Sequence, residues 1–225
     1  MRRQIITTSD GSTTIRIDEW DECYHSKHGA IQEAYHVFIK NGLSLLNGKE
    51  ASIMEIGFGT GLNAFITYLE SQKSQQVINY TGVEAFPVSR DEVLAMNYVD
   101  RLNARDNSAD FDKMHACGWE LPTQITDRFT LTKRRQYFSD ITDVNNYDLI
   151  YFDAFGYRVQ PELWSTEIFR KMFAALKPGG VLVTYAARGV VKRSMIEVGF
   201  KVEKLDGPPG KREMFRATRP AESEI

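Results

Sequence analysis

The stretch ASIMEIGFGTGLNAF, residues 51–65, constrains the fold more than any other. A short apolar run ends in Gly57, Gly59 and Gly61, and a helix-prone segment, LNAFITYLESQ, follows at once. A buried strand that turns through glycines into a helix is the opening unit of an α/β sheet. The helix N-terminus leaves free N–H groups beyond the carboxyl end of the strand, and a turn without side chains lets a ligand approach them. The spacing Gly-x-Gly-x-Gly differs from the dinucleotide pattern Gly-x-Gly-x-x-Gly. Glu55, read as the acid at the strand end, would repel a pyrophosphate and suit a cationic ligand, the sulfonium and amino group of S-adenosylmethionine. A tight strand–helix turn without a ligand is the plainer alternative.

The rest of the chain repeats the alternation. INYTGVEAF reads as a second strand, FTLTKRRQYFSDI as a third, YDLIYFDAF as a fourth and GVLVTYAA as a fifth. PELWSTEIFRKMFAALKPGG reads as an amphipathic helix closed by Pro178 and two glycines, and GVVKRSMIEVGF as a short helix. KVEKLDG and REMFRAT read as a terminal antiparallel pair. Residues 1–30 read as a hairpin-like extension with strands such as TTIRIDEW, and residues 31–47 place apolar side chains at helical spacing. Residues 88–127 are polar and helix-prone without a strand signal, and read as a helical insertion. The expectation is one α/β domain over residues 1–225: a doubly wound, mostly parallel, Rossmann-like sheet with an antiparallel last strand. Ligands of such sheets lie beyond the strand ends at the switch point.

Candidate site residues follow from that placement. Glu84 ends the second strand and can accept both hydroxyls of a ribose; Asp140 follows the third and can accept from an adenine amino group. Asp153, at the tip of the apolar fourth strand, is costly to desolvate without a partner and can take the proton of an amine nucleophile. Each is also a residue type common at strand ends and turns. His25 and His28 read as surface histidines, Trp119 and Trp164 as packing residues, and no metal pattern is present. The formal net charge of −2 gives no global attraction to polyanions, so a nucleic acid would need a local patch. Basic clusters lie at 133–135, 188–193 and 211–212. Two distant cysteines, no apolar span and no signal-peptide run suggest a reduced cytoplasmic protein without membrane contact.

Several segments resemble the MnmC-type tRNA wobble-uridine methyltransferases in the form that lacks an oxidase domain. They are YHSKHGAIQEAYHVFIKNGL, GFGTGLN, VEAFP, FDAF with PELW, and LKPGGVLVTYAARGVVKRSMIEVGF. The most specific is GKREM, residues 210–214, because generic methyltransferases share the glycine loop but not this ending. The resemblance implies a class I S-adenosylmethionine-dependent fold. It implies methylation of the aminomethyl group of tRNA wobble uridine, giving 5-methylaminomethyl-2-thiouridine. It places the cofactor on Glu55, Gly57, Phe58, Gly59, Gly61, Asn63, Glu84, Asp140 and Asp153, with Asp153 catalytic. Tyr24, Lys192, Arg193, Lys211 and Arg212 would contact the tRNA anticodon stem-loop. The chain departs from the pattern at His25, at Gly156-Tyr157 and at Gly207-Pro208-Pro209, and carries no flavin motif, so no oxidase activity is expected. Two other readings stay open: a small-molecule amine transferase related to spermidine synthases, and a non-catalytic RNA-binding module.

Overall fold

A computed structural model describes residues 2–46, 48 and 50–221. The N-terminal residues form a separate antiparallel sheet of β1 (Arg3–Thr7), β2 (Thr13–Ile17) and β3 (Glu22–Cys23). The helical spacing at 31–47 becomes α1 (Ala30–Ala34), a wider π-turn over Tyr35–Lys40 and a 3-10 turn over Leu43–Leu45; Asn47 lies outside the described residues. The glycine-loop unit is β4 (Glu50–Ile56) followed by α2 (Leu62–Ser74), and β5 (Val77–Val83) comes next. Then come α3 (Arg90–Leu94), α4 (Tyr98–Arg101), α5 (Ser108–Ala116), β6 (Thr123–Thr126), β7 (Phe129–Arg134) and β8 (Tyr147–Phe152). The chain closes with α6 (Thr166–Ala175), β9 (Leu176–Thr184), α7 (Gly189–Glu197), β10 (Lys201–Asp206) and β11 (Glu213–Thr218).

The main sheet has the order β10-β11-β9-β8-β4-β5-β7-β6. Strands β9, β8, β4, β5 and β7 are parallel; β11 runs antiparallel to β9, and β10 to β11. The sheet therefore reverses its winding at β4, between β5 and β8, and ligands are expected beyond that point. Side chains alternate across the sheet as strand geometry requires. Ile53 packs under α1 and α2 with Phe65, while Met54 and Ile56 pack under α6 and α7 with Phe169 and Met195. Trp164 is 1% exposed and its indole N–H donates to Phe155 O (2.8 Å), which pins the loop after β8.

Two expectations are corrected. The 88–127 segment is not wholly helical: Thr123–Thr126 adds an antiparallel edge strand to β7, its half-buried alternation too short to stand out among polar residues. Pro178 and its glycines do not close α6, which ends at Ala175; they lie within β9, at a shift in its register against β8.

Helix α3 begins with a capping box: Ser89 Oγ accepts from Glu92 N (3.2 Å) and Glu92 Oε2 accepts from Ser89 N (2.7 Å). Ser89→Ala should cost about 1 kcal/mol, read as a lower urea midpoint at unchanged slope.

Candidate functional site

A cleft of about 1270 Å³ opens at the carboxyl ends of β4, β5 and β8. Gly57 and Gly59, Glu84 and Asp153 supply its floor, and β3 and the residues after it supply a wall with Glu22, Tyr24 and His25. The glycine loop is held from below. Gly57 N and Phe58 N both donate to Val83 O (3.0 Å each). Gly57 adopts φ +92°, and a Cβ there would stand 2.7 Å from the carbonyl oxygen of Asp153. The bare loop thus lets β4 and β8 end side by side, and a side chain at Gly57 would push Asp153 away.

Glu84 fixes the loop from the neighbouring strand. Its Oε2 accepts from Gly59 N (3.1 Å) and its Oε1 from Phe86 N (2.8 Å). Each carboxylate oxygen keeps a further lone pair, so two hydroxyl donors can still be received. Phe86 and Tyr137, exposed at 61% and 58%, meet edge to face at 5.9 Å on the same rim.

Asp153 Oδ2 accepts from Asn63 Nδ2 (2.8 Å). Burial, with a smaller push from the Glu33 carboxylate, raises the Asp153 carboxyl to about 7; the Asn63 bond and Lys211 act the other way. Proton uptake near neutrality on the floor of a cleft is what a general base needs. Tyr24 stands edge-on to Phe155 (5.0 Å) with the Arg3 guanidinium over its ring (5.7 Å), and burial pushes its phenol to about 12.

Several expected site residues lie elsewhere. Glu55 does not line the cleft at the strand end: it is 1% exposed and shares the face of Ile53 beneath α2. Its Oε1 accepts from Asn63 Nδ2 and its Oε2 from Tyr80 OH (2.8 Å each), and burial holds its carboxyl well above the usual range. Asn63, 3% exposed, bridges Glu55 to Asp153 from behind the cleft. Phe58 turns its ring onto Gly82 and towards Trp119, and Gly61 faces His115; neither borders the cleft. Asp140 is exposed beside Ser139, and the short turn Phe138–Asp140 presents Ser139 to the cleft instead.

The basic residues divide in the same way. Lys192 and the exposed Arg193 lie on α7, which seats Val191 and Met195 on the sheet, and neither borders the cleft. Arg212 is exposed. Lys211 is not free for phosphate: it enters the cleft and pairs with Glu33, which is 7% exposed. Lys133, in the first basic cluster, is 2% exposed and donates to His115 O (2.7 Å). His25 is half-buried in the cleft wall rather than on open surface: its ring bonds Thr14 Oγ1 (3.0 Å), and burial, with Lys211 nearby, lowers it to about 4. His28 is exposed. Among the described residues no group of three or more His, Cys, Asp or Glu is placed to hold a metal ion. No described helix is long and apolar enough to cross a membrane.

Sequence reasoning missed Glu33, Tyr185, Phe86 and Tyr137 as cleft residues. Glu33 lies in a helix segment that carries the family resemblance, but its place in the cleft depends on a partner 178 positions away. Phe86 and Tyr137 carried a signal, since each follows the carboxyl end of a parallel strand, β5 and β7, on the side of the sheet where the cleft opens.

Residues 124–220 match a family described as S-adenosyl-L-methionine-dependent methyltransferase. Over 95% of its length the chain is 28% identical to the tRNA 5-methylaminomethyl-2-thiouridine biosynthesis bifunctional protein MnmC of Hydrogenovibrio crunogenus, and it covers 33% of that protein. The chain spans about a third of the length of the curated relatives it matches. The crystal structure of MnmC2 from Aquifex aeolicus aligns with a TM-score of 0.76 at 22% identity, over 98% of this chain and 71% of that one. Spermidine synthase from Thermotoga maritima aligns with a TM-score of 0.58 at 14% identity, over 98% and 70% of the two chains. The fold is that of the class I S-adenosylmethionine-dependent methyltransferases.

Proposed function

From a chain that has the class I methyltransferase fold and resembles MnmC proteins along nearly its whole length, we infer an S-adenosylmethionine-dependent enzyme that N-methylates the aminomethyl group of tRNA wobble uridine. The observation that carries this reading is Asp153, a carboxyl tuned to about 7, beside the bare glycine loop at the switch point.

The residues present fit the cofactor. Glu84 has lone pairs to spare for a ribose diol, and Gly57 and Gly59 leave room at the strand end. Phe86 and Tyr137 offer aromatic faces at the rim for adenine, the part expected of Asp140. When bound, S-adenosylmethionine supplies a methyl group already activated by the sulfonium. The protein's part is to position the amine and manage its protons. A primary amine that gains a methyl group becomes a secondary ammonium and must release one proton. Asp153, ionised above pH 7, receives it, and Asn63 holds the carboxylate in place meanwhile. Tyr24 and Phe155 form an aromatic wall on which a splayed uracil can stack. Lys192, Arg193 and Arg212 remain available for phosphates of the anticodon stem-loop.

The test is methyl transfer from labelled S-adenosylmethionine to tRNA carrying aminomethyl wobble uridine, with nucleosides read by mass spectrometry and putrescine as the competing acceptor. Formation of the 5-methylaminomethyl nucleoside supports the reading; labelled polyamine alone overturns it. Replacing Lys192 and Arg193 together by Ala should weaken tRNA binding several-fold. The slope of log affinity against log salt should fall by up to about 2, one for each phosphate no longer neutralised, with cofactor affinity unchanged.

A further inference from the structure

We propose that Lys211 is a positioning residue of the transfer step: clasped by Glu33 inside the cleft, its ammonium takes the place of a substrate ammonium, so that the amine reaches Asp153 uncharged. This rests on the reading of the protein as an amine methyltransferase.

Three contacts hold Lys211 there. Its Nζ pairs with Glu33, and Glu33 also accepts from Ser26 N (3.3 Å). The same Nζ stands 4.1 Å from the centre of the Tyr185 ring, a cation–π contact. The Tyr185 hydroxyl donates to Ala154 O (2.8 Å), one residue past Asp153, so the ring under Lys211 is fastened to the loop that carries the base. The turn before Lys211 is closed by Lys211 N to Pro208 O (2.9 Å) and Gly207 N to Arg212 O (3.1 Å). Withdrawing Lys211 to meet a phosphate would leave Glu33 buried without its countercharge, a costly state.

A fixed cation beside the reacting pair works on both partners. It favours the ionised carboxylate, the form that can accept a proton, and the neutral amine, the form that can attack. Glu33 opposes Lys211, since its negative charge raises Asp153. The other titratable groups that act on Asp153 are Glu55, bridged to it through Asn63, Tyr80, whose hydroxyl donates to Glu55, and Tyr185. Glu84, Glu22 and His25 lie further along the cleft. Without Lys211, Glu33 would be free to bind the substrate as an unreactive ammonium.

The deciding measurement is the titration of the Asp153 carboxyl by carbon-13 NMR in the full chain without cofactor, its signal assigned with Asp153→Asn. Lys211→Met should raise the midpoint and Glu33→Gln should lower it, each by roughly half to one unit, while Lys211→Arg leaves it in place. The acid limb of the kcat profile with aminomethyl-uridine tRNA should shift the same way, and the affinity for tRNA should hold. Midpoints unmoved in both charge variants, or a Lys211→Met enzyme whose only defect is salt-sensitive tRNA binding, overturn the proposal. If Lys211→Met does not fold, Glu33→Gln decides alone. Parent protein that transfers no methyl group to this tRNA sinks the functional reading, while the titration still reports whether Lys211 sets the ionisation of Asp153.

Discussion

Asp153→Asn is expected to lower kcat for methyl transfer by about 100-fold to 10,000-fold, the range that a positioned general base supplies. The amide has the shape of the carboxylate and keeps an oxygen to accept from Asn63 Nδ2, so the cleft and its affinity for S-adenosylmethionine should survive within a few-fold. Only the capacity to take a proton near neutrality is lost. In the parent enzyme kcat should rise about tenfold per pH unit up to pH 7 and level off above it, because the ionised carboxylate is the active form. The same carboxyl sets a stability difference of opposite sense. Its pKa of about 7 in the folded protein exceeds the ordinary value of 3.8, so folding takes up a proton between those limits. Stability therefore falls as pH rises through that window, and the loss persists above it. The Asn variant should be more thermostable than the parent at pH 8 and no different below pH 4. A variant that binds cofactor and still turns over at the parent rate would remove Asp153 from the mechanism.

Glu84→Ala is the second large effect. If the carboxylate receives both ribose hydroxyls, two charge-assisted hydrogen bonds of about 1.5–3 kcal/mol each disappear, and Gly59 N and Phe86 N lose their acceptor as well. Affinity for S-adenosylmethionine, measured by equilibrium dialysis, should drop by about 100-fold to 1,000-fold or more. Thermal stability without ligand should fall far less, because the loop keeps its backbone bonds to Val83 O. A loss of less than threefold would place the ribose elsewhere.

What the sequence disclosed follows from which interactions are local. The strand–glycine–helix unit at β4 and α2 was legible because strand burial, turn chemistry and helix onset all act within a dozen residues. The places of Glu84 and Asp153 in the cleft were legible by the same logic, as polar residues where an apolar run stops. Glu55 misled because it too is an acid near a strand end, yet it sits two residues before the first glycine, on the face beneath α2. Strand alternation settles that face only once the neighbouring layer is known. Lys211 misled for a different reason. A lysine in a glycine-proline turn reads as surface charge, and its buried partner Glu33 belongs to a helix at the other end of the chain. Pairings of that separation leave no periodic trace.

The Lys211–Glu33 clasp has a consequence for biosynthesis. A ribosome makes the chain from the N-terminus, so Glu33, the glycine loop and Asp153 all emerge well before Lys211, which follows Glu33 by 178 positions. Until then the nascent protein can form β4, β5 and β8 in order, but Glu33 must stay hydrated. Closing a contact of this sequence separation is a late event. A truncated product that stops before Lys211 would therefore carry the glycine loop and Glu84 without the cation that pairs with Glu33 in the cleft.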